Sequence, residues 1–170
     1  MLYAKAKVLS RVNAAKLTQF LALAGTATLL PFYIHLQCVS GPIVNAILII
    51  TLFLVGCMVP SLMALGGGLL PAVMAPVVPF IMLSNMILVL TVDWVYNNFK
   101  DDVKGFFTGI GVASFVKFAF LYLSVGAISK LLIKQELVAK VAQMMSWPQF
   151  ATALAGGMLA FVVLRWLKRI

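Results

Sequence analysis

The chain has 170 residues, of which 64% are hydrophobic and only 10% charged, and its formal net charge is +9. A water-soluble domain of this size could not cover so much apolar surface, so the composition excludes a soluble globular protein. The basic residues lie at the ends of apolar runs and do not form one polar face, which makes them membrane topology signals and excludes nucleic acid as the expected partner.

We predict an all-α integral membrane protein, with one transmembrane domain over residues 1–170 arranged as a six-transmembrane-helix bundle. The chain has room for six crossings at roughly 20 apolar residues each. Gly and Pro clusters mark the boundaries, and the predicted helices cover 17–35, 43–58, 61–75, 79–97, 105–129 and 148–166. The third helix is short and interrupted by glycines and prolines. The amphipathic segment 130–147 is predicted to be an interfacial helix or a lid.

The distribution of Lys and Arg predicts the orientation of this bundle. If the third segment crosses, four basic residues before the first helix, two in the 98–104 loop and three at the carboxyl terminus share one side, against three in 130–147. If the third segment only dips in and returns, the split falls to about seven against five. We therefore expect six crossings with both termini cytoplasmic, and segments 36–42, 71–79 and 130–147 on the outer face.

Lys117 is the most informative residue, because it lies about a dozen residues into the fifth helix, roughly 18 Å from the inner boundary of a hydrocarbon core about 30 Å thick. A cation at that depth is costly unless it faces a wet cavity or a partner. Three roles stay open for it: contact with an anionic or carbonyl group of a ligand, an internal ion pair with Asp93, or contact with water or a lipid headgroup. Ser114 shares its helical face.

Further polar residues lie near the outer ends of the predicted helices: Asn45, Asn85, Trp147 and Gln149. Together with Lys117 and Ser114 they are the candidate substrate-binding residues, because converging polar groups in an apolar setting are typical of a small-molecule pocket. Asn45 and Asn85 fit interhelical hydrogen bonding equally well. The spacings Gly105-x-x-x-Gly109 and Ala151-x-x-x-Ala155 indicate close helix packing.

The sequence carries no recognisable catalytic or metal-binding constellation. It has one histidine, His35, and two scattered cysteines, and it lacks a zinc-protease, nucleotide-binding or serine-elbow motif. We therefore predict a protein that is not an enzyme, with no metal and no cofactor.

The Gly-Pro-Ile-Val-Asn sequence at 41–45 and the Gly- and Pro-rich segment after it lie in a chain of the expected size and topology. Over residues 15–168 the chain thus resembles the S components, the substrate-binding membrane subunits, of energy-coupling factor (ECF) transporters. The resemblance implies a multi-pass protein of the bacterial inner membrane that binds a small vitamin-like or anionic metabolite near its outer face.

The same resemblance implies partners: the lipid bilayer, a transmembrane scaffold protein and two cytoplasmic ATPases. The family docks on its scaffold through an Ala-x-x-x-Ala pattern on the first helix, and this sequence has Thr18, Ala22 and Thr26 at that spacing. The expected function is therefore substrate capture for an ECF-type importer. The alternative is a structural or electron-transfer membrane subunit of a larger complex.

Overall fold

The computed structural model describes residues 18–19, 21–23, 25–27, 37–56, 77–131 and 135–170, and all regular structure in these ranges is helical. The predicted third helix, 61–75, and much of the predicted first helix, 17–35, lie outside the described residues, as does His35. In chain order the described helices are α1 (Gln37–Val55), α2 (Val78–Asn98), α3 (Asp102–Leu131), α4 (Gln135–Met144) and α5 (Trp147–Trp166).

Four spans in this part of the chain are long and apolar enough to cross a membrane: Cys38–Val55, Val78–Asn98, Asp102–Lys130 and Val138–Trp166. The last of them runs from α4 into α5. The 20 residues of α5 extend about 30 Å, which matches the thickness of a hydrocarbon core. Exposed tryptophans, Trp147 and Trp166, occupy its two ends, as expected for residues at membrane interfaces. These features indicate a multi-pass membrane protein.

Helices α2 and α5 coincide with the predicted 79–97 and 148–166 to within one residue, but α1 does not match its prediction. It begins at Gln37 and contains Pro42, so the predicted loop 36–42 is wrong over residues 37–42. Proline is tolerated inside membrane helices when neighbouring helices stabilise the interrupted backbone. Helix α1 ends early because Gly56 adopts a φ of +109°, a conformation that ends helices and favours glycine.

Helix α3 begins three residues before the predicted start at Gly105 because Asp101 caps it. The Asp101 carboxylate accepts hydrogen bonds from the backbone N–H groups of Val103 and Lys104, both at 3.0 Å. These are two of the amides that a helix start leaves without an intrahelical partner. Within the predicted interfacial segment 130–147, residues 130–131 belong to α3 and residues 135–144 form α4.

The four long helices form a ring in which α1 packs on α2 and α5, and α3 packs on α2 and α5. Helices α1 and α3 therefore lie on a diagonal. Close approaches at Gly41–Thr152 and Asn45–Gly156 make α1 and α5 parallel, whereas contacts at Val92–Gly109 and Tyr96–Gly105 make α2 and α3 antiparallel. Phe106 and Phe118 of α3 contact Phe161 and Trp147 of α5, so these two are also antiparallel.

Helices α1, α2 and α5 thus run in one direction and α3 runs in the other. We call the end where α1, α2 and α5 begin the upper end of the bundle, and the opposite end the lower end. Helix α4 contacts α3 and α5 and covers part of the upper end.

Two hydrophobic clusters fill the ring. The lower one includes Leu48, Leu88, Val92, Phe106, Ile110, Ala160 and Leu164. The upper one is formed by Val77, Leu121, Ile128, Val141 and Met145. Between them lies a set of buried polar side chains, which we call the polar layer: Asn45, Ser84, Asn85, Ser114, Lys117 and Thr152. The fold therefore places a band of polar groups across a mostly apolar interior, in which Ser40, Thr51 and Ser124 are the other buried polar side chains among the described residues.

Small residues let α1 and α5 approach each other at this level. A β-carbon added at Gly156 would lie 2.6 Å from the Asn45 β-carbon and 2.7 Å from the Pro42 carbonyl oxygen. The predicted Ala151-x-x-x-Ala155 packing stripe is therefore off by one residue: Ala151 is exposed, and Thr152, Gly156 and Ala160 form the buried face. Gly105 and Gly109 do pack closely, against α2 and the turn after it.

Gly156→Ala should destabilise the protein by about 1–3 kcal/mol, because the added methyl group must push α1 away from α5. Gly111→Ala on α3 is the matched control, since a β-carbon there meets nothing within 4 Å and alanine is the better helix former. Unfolding by SDS titration in mixed micelles measures both. Equal effects of the two substitutions would contradict close packing at Gly156.

Candidate functional site

Lys117 lies near the middle of α3, about 21 Å from its last residue, and only 3% of its surface is exposed. Its Nζ donates two hydrogen bonds, to Asn45 Oδ1 and to Asn85 Oδ1, each 2.7 Å long. Both asparagines are buried. The structure therefore brings together three residues that the sequence identified as candidate ligand contacts, although Lys117 is 72 positions from Asn45 and 32 positions from Asn85.

The long lysine side chain crosses the bundle from one corner of the ring to the opposite one. Asn45 is on α1, diagonally across from α3, and Asn85 is on α2, the helix between them. One ammonium group thus ties three helices together at a single level. Gly156 contributes indirectly, because its missing side chain leaves the space that the Asn45 Cβ occupies.

The predicted alternative of an ion pair between Lys117 and Asp93 is wrong. Asp93 Oδ1 accepts a hydrogen bond from Asn97 Nδ2 at 3.2 Å, while Lys117 bonds to the two asparagines. Asp93 follows Asn85 by just over two helical turns, which places it about 12 Å lower along α2. Within the described ranges, no carboxylate pairs with the Lys117 ammonium.

Ser114 lies one turn before Lys117 on α3 and is completely buried, and its Oγ has no hydrogen-bond partner among the described residues. The other hydroxyls of the polar layer differ, because Ser84 donates to the Ile81 carbonyl at 2.8 Å and Thr152 to the Gln149 carbonyl at 3.1 Å. An unpaired buried polar group costs about 1–3 kcal/mol and calls for an explanation. A ligand that occupies the layer would supply the missing partner.

The amide NH₂ groups of Asn45 and Asn85 are also available. Because both side chains direct Oδ1 towards Lys117, their Nδ2 atoms point elsewhere, and neither donates to any residue that the structure describes. The layer therefore combines one cation, two carboxamide donors and one serine hydroxyl. Such a set can hold an oxyanion, since a carboxylate accepts about four hydrogen bonds.

Ser114 and Lys117 have the Ser-x-x-Lys spacing of some hydrolases, but they do not form an activated nucleophile. Lys117 Nζ donates to the asparagines, and Ser114 Oγ accepts nothing from it. The arrangement offers hydrogen-bond donors and no activated nucleophile. Among the described residues, no three His, Cys, Asp or Glu side chains lie together.

Trp147 and Gln149 lie above the polar layer and do not belong to it. Trp147 is 68% exposed and stacks on Phe118, with ring centroids 5.5 Å apart. It precedes Gly156 on α5 by nine residues, about 13 Å along the axis. Gln149 is half-buried, and its backbone N–H donates to the Ser146 carbonyl. These two residues mark the upper end of the bundle.

Thr152 and Gly156 were not predicted from the sequence, although they have the small-x-x-x-small spacing one register away from the predicted Ala151-x-x-x-Ala155 stripe. The predicted docking residues Thr18, Ala22 and Thr26 are helical and exposed, while Ala27 belongs to the lower cluster and Leu23 packs against it.

Comparisons with protein-family models, with curated proteins and with solved structures found no match to this chain.

Asn85→Leu should lower the free energy of unfolding by about 3 kcal/mol, because it leaves the buried Lys117 ammonium with one acceptor fewer. Adding Lys117→Met should restore part of that loss, since replacing both polar groups by apolar ones is less costly than removing one. A double-mutant cycle in SDS should give a coupling free energy of about 1–3 kcal/mol. Additive costs would contradict a bond between the two side chains.

Proposed function

We propose that this protein captures a small anionic metabolite from the outer face of the bacterial inner membrane, as the substrate-binding subunit of an ECF-type importer. The observation that carries the proposal is Lys117: a cation buried at mid-membrane depth, held by two neutral amides, with the unpaired Ser114 hydroxyl one turn away. A cation in that position marks a substrate or ion pathway by default.

The ligand is proposed to be anionic because the layer lacks a compensating charge. Asparagine oxygens satisfy hydrogen bonds of the ammonium group but leave its charge intact, and an unpaired charge in an apolar interior is costly. An anion entering the layer would remove that cost, so binding energy is available to a negatively charged ligand and not to a cation.

Directionality follows from the charges at the two ends. Among the described residues, the lower end carries five basic residues and the upper end two: Lys100, Lys104, Arg165, Lys168 and Arg169 against Lys130 and Lys140. The positive-inside rule assigns the more basic end to the cytoplasm. The polar layer is nearer the upper end, about 12 Å below the first residue of α1. The upper end is therefore proposed to face outwards, where an importer meets its substrate.

The six-helix arrangement with cytoplasmic termini is part of the proposal. Helices α1 and α2 are consecutive among the described helices and run in the same direction, as they must if the predicted third helix crosses between them. The exposed Thr18, Ala22 and Thr26 give a small-residue face for a transmembrane scaffold protein, which would connect this subunit to cytoplasmic ATPases.

A structural role is the second candidate, supported by the same two hydrogen bonds. Because Lys117 ties α1, α2 and α3 together, the polar layer could serve to fix helix register in a membrane subunit of a larger complex, as buried polar groups do in other bundles. In that role the layer would bind nothing.

Purification in mild detergent followed by native mass spectrometry separates these two functions. We expect the wild-type protein to retain a small molecule and Lys117→Met to lose it, because the substitution removes the charge that holds an anion. Lys104→Met is the control, being a substitution of an exposed lysine on the same helix. Absence of any bound molecule from the wild type, or retention by Lys117→Met, would contradict capture at this site.

Cys38 reports the orientation, because it is exposed in the first turn of α1 at the upper end. In a Cys57→Ser background we expect a membrane-impermeant maleimide to label Cys38 in right-side-out vesicles. A cysteine placed at Lys100, in a background with both native cysteines replaced by serine, should react only after permeabilisation. The opposite labelling pattern would reverse the proposed orientation.

A further inference from the structure

The two partners of the Lys117 ammonium are asparagines, and this choice sets the charge of the site. An aspartate at position 45 or 85 would have nearly the same shape and would neutralise the lysine. The two amides instead accept hydrogen bonds at 2.7 Å and bring no negative charge to balance that of a protonated lysine. Among the described residues of the layer there is no second charge of either sign. A ligand that balances this site therefore carries a single negative charge.

The hydrogen-bonding groups around that charge are mostly donors. Lys117 has a third N–H, the two amides have NH₂ groups without acceptors in the described chain, and Ser114 has a free hydroxyl. A carboxylate takes about four hydrogen bonds and donates none, so it can accept one hydrogen bond from each of these four groups. An amine or ammonium group on the ligand would place its own N–H donors against these N–H and O–H donors, and two donors cannot form a hydrogen bond with each other.

The surroundings of the layer determine the rest of the ligand. Above the layer lie Val77, Leu121 and Met145, which belong to the upper cluster. Below it lie Leu88, Val89 and Ala113, which belong to the lower cluster. A second charged group on the ligand would be pushed into one of these apolar clusters without a partner. A dicarboxylate or a zwitterion thus loses more on desolvation than it gains from Lys117.

We propose that the polar layer binds the carboxylate of a singly charged organic acid whose remaining part is apolar. The carboxylate accepts hydrogen bonds from Lys117 and Ser114, and the amides of Asn45 and Asn85 rotate so that their NH₂ groups donate to it. This inference rests on the proposed function and adds the class of the substrate.

A matched set of six-carbon probes tests the charge class: hexanoate, hexylammonium, hexan-1-ol and the dianion adipate. Thermal unfolding of the detergent-purified protein is followed at increasing concentrations of each probe. We expect a saturable rise in melting temperature with hexanoate and no rise with hexylammonium. The apparent affinities for hexanol and for adipate should be at least about tenfold weaker than that for hexanoate. Equal responses to all four probes, or no response to hexanoate, would overturn the inference.

Asn85→Asp is the decisive variant, because the new aspartate carboxylate would occupy the place proposed for the carboxylate of the ligand. The variant should fold, as it completes an ion pair with Lys117, and should lose the hexanoate response. Asn45→Asp is an independent version of the same change. Asn98→Asp, exposed about 20 Å lower on α2, adds the same charge and should keep the response. Persistence of the response in both Asn45→Asp and Asn85→Asp would show that hexanoate binds elsewhere.

The outcomes also separate this inference from the proposed function. If native mass spectrometry finds a bound anion other than a monocarboxylate that Lys117→Met loses, while hexanoate has no effect, capture of an anionic substrate stands and the monocarboxylate class is wrong. If no molecule co-purifies and none of the probes raises the melting temperature, both are wrong.

Discussion

The structure depends on how one buried ammonium group is accommodated. Lys117 projects into the centre of a bundle whose neighbouring levels are mostly apolar, and its desolvation would destabilise the fold if no polar atoms met it. Asn45 and Asn85 meet it from two other helices. The positions of α1 and α2 relative to α3 are therefore constrained at this level, and the two hydrophobic clusters pack above and below it.

The close packing of α1 and α5 follows from the same constraint. For Asn45 to reach Lys117 across the diagonal of the ring, α1 must lie deep in the bundle, and Gly156 and Gly41 permit this by removing side chains from the interface with α5. In a membrane, helices gain little from the hydrophobic effect on association, so small residues and interhelical hydrogen bonds determine which faces meet. Both are concentrated at the level of the polar layer.

The sequence predicted the polar residues better than it predicted their partners. Depth along an apolar run is readable from the sequence, which is why Lys117, Asn45, Asn85 and Ser114 could be identified as site candidates. Which of them touch depends on the rotation of each helix and on ring order, and neither is encoded in spacing. The start of α1 was misplaced for a related reason: Gly41-Pro42 has the local pattern of a helix boundary, but α1 continues through it while Gly41 packs closely against Thr152 of α5.

The bonds that hold the bundle together are also the bonds that the proposed ligand would replace. An anion at the Lys117 ammonium would compete with the oxygens of Asn45 and Asn85, so its binding would loosen the connection of α3 to α1 and α2 unless the amides rotated and bound it as well. An importer of the proposed kind would need an interaction that is stable in both arrangements. Neutral amides suit it, because they can accept from a lysine or donate to a carboxylate, whereas an aspartate could only accept.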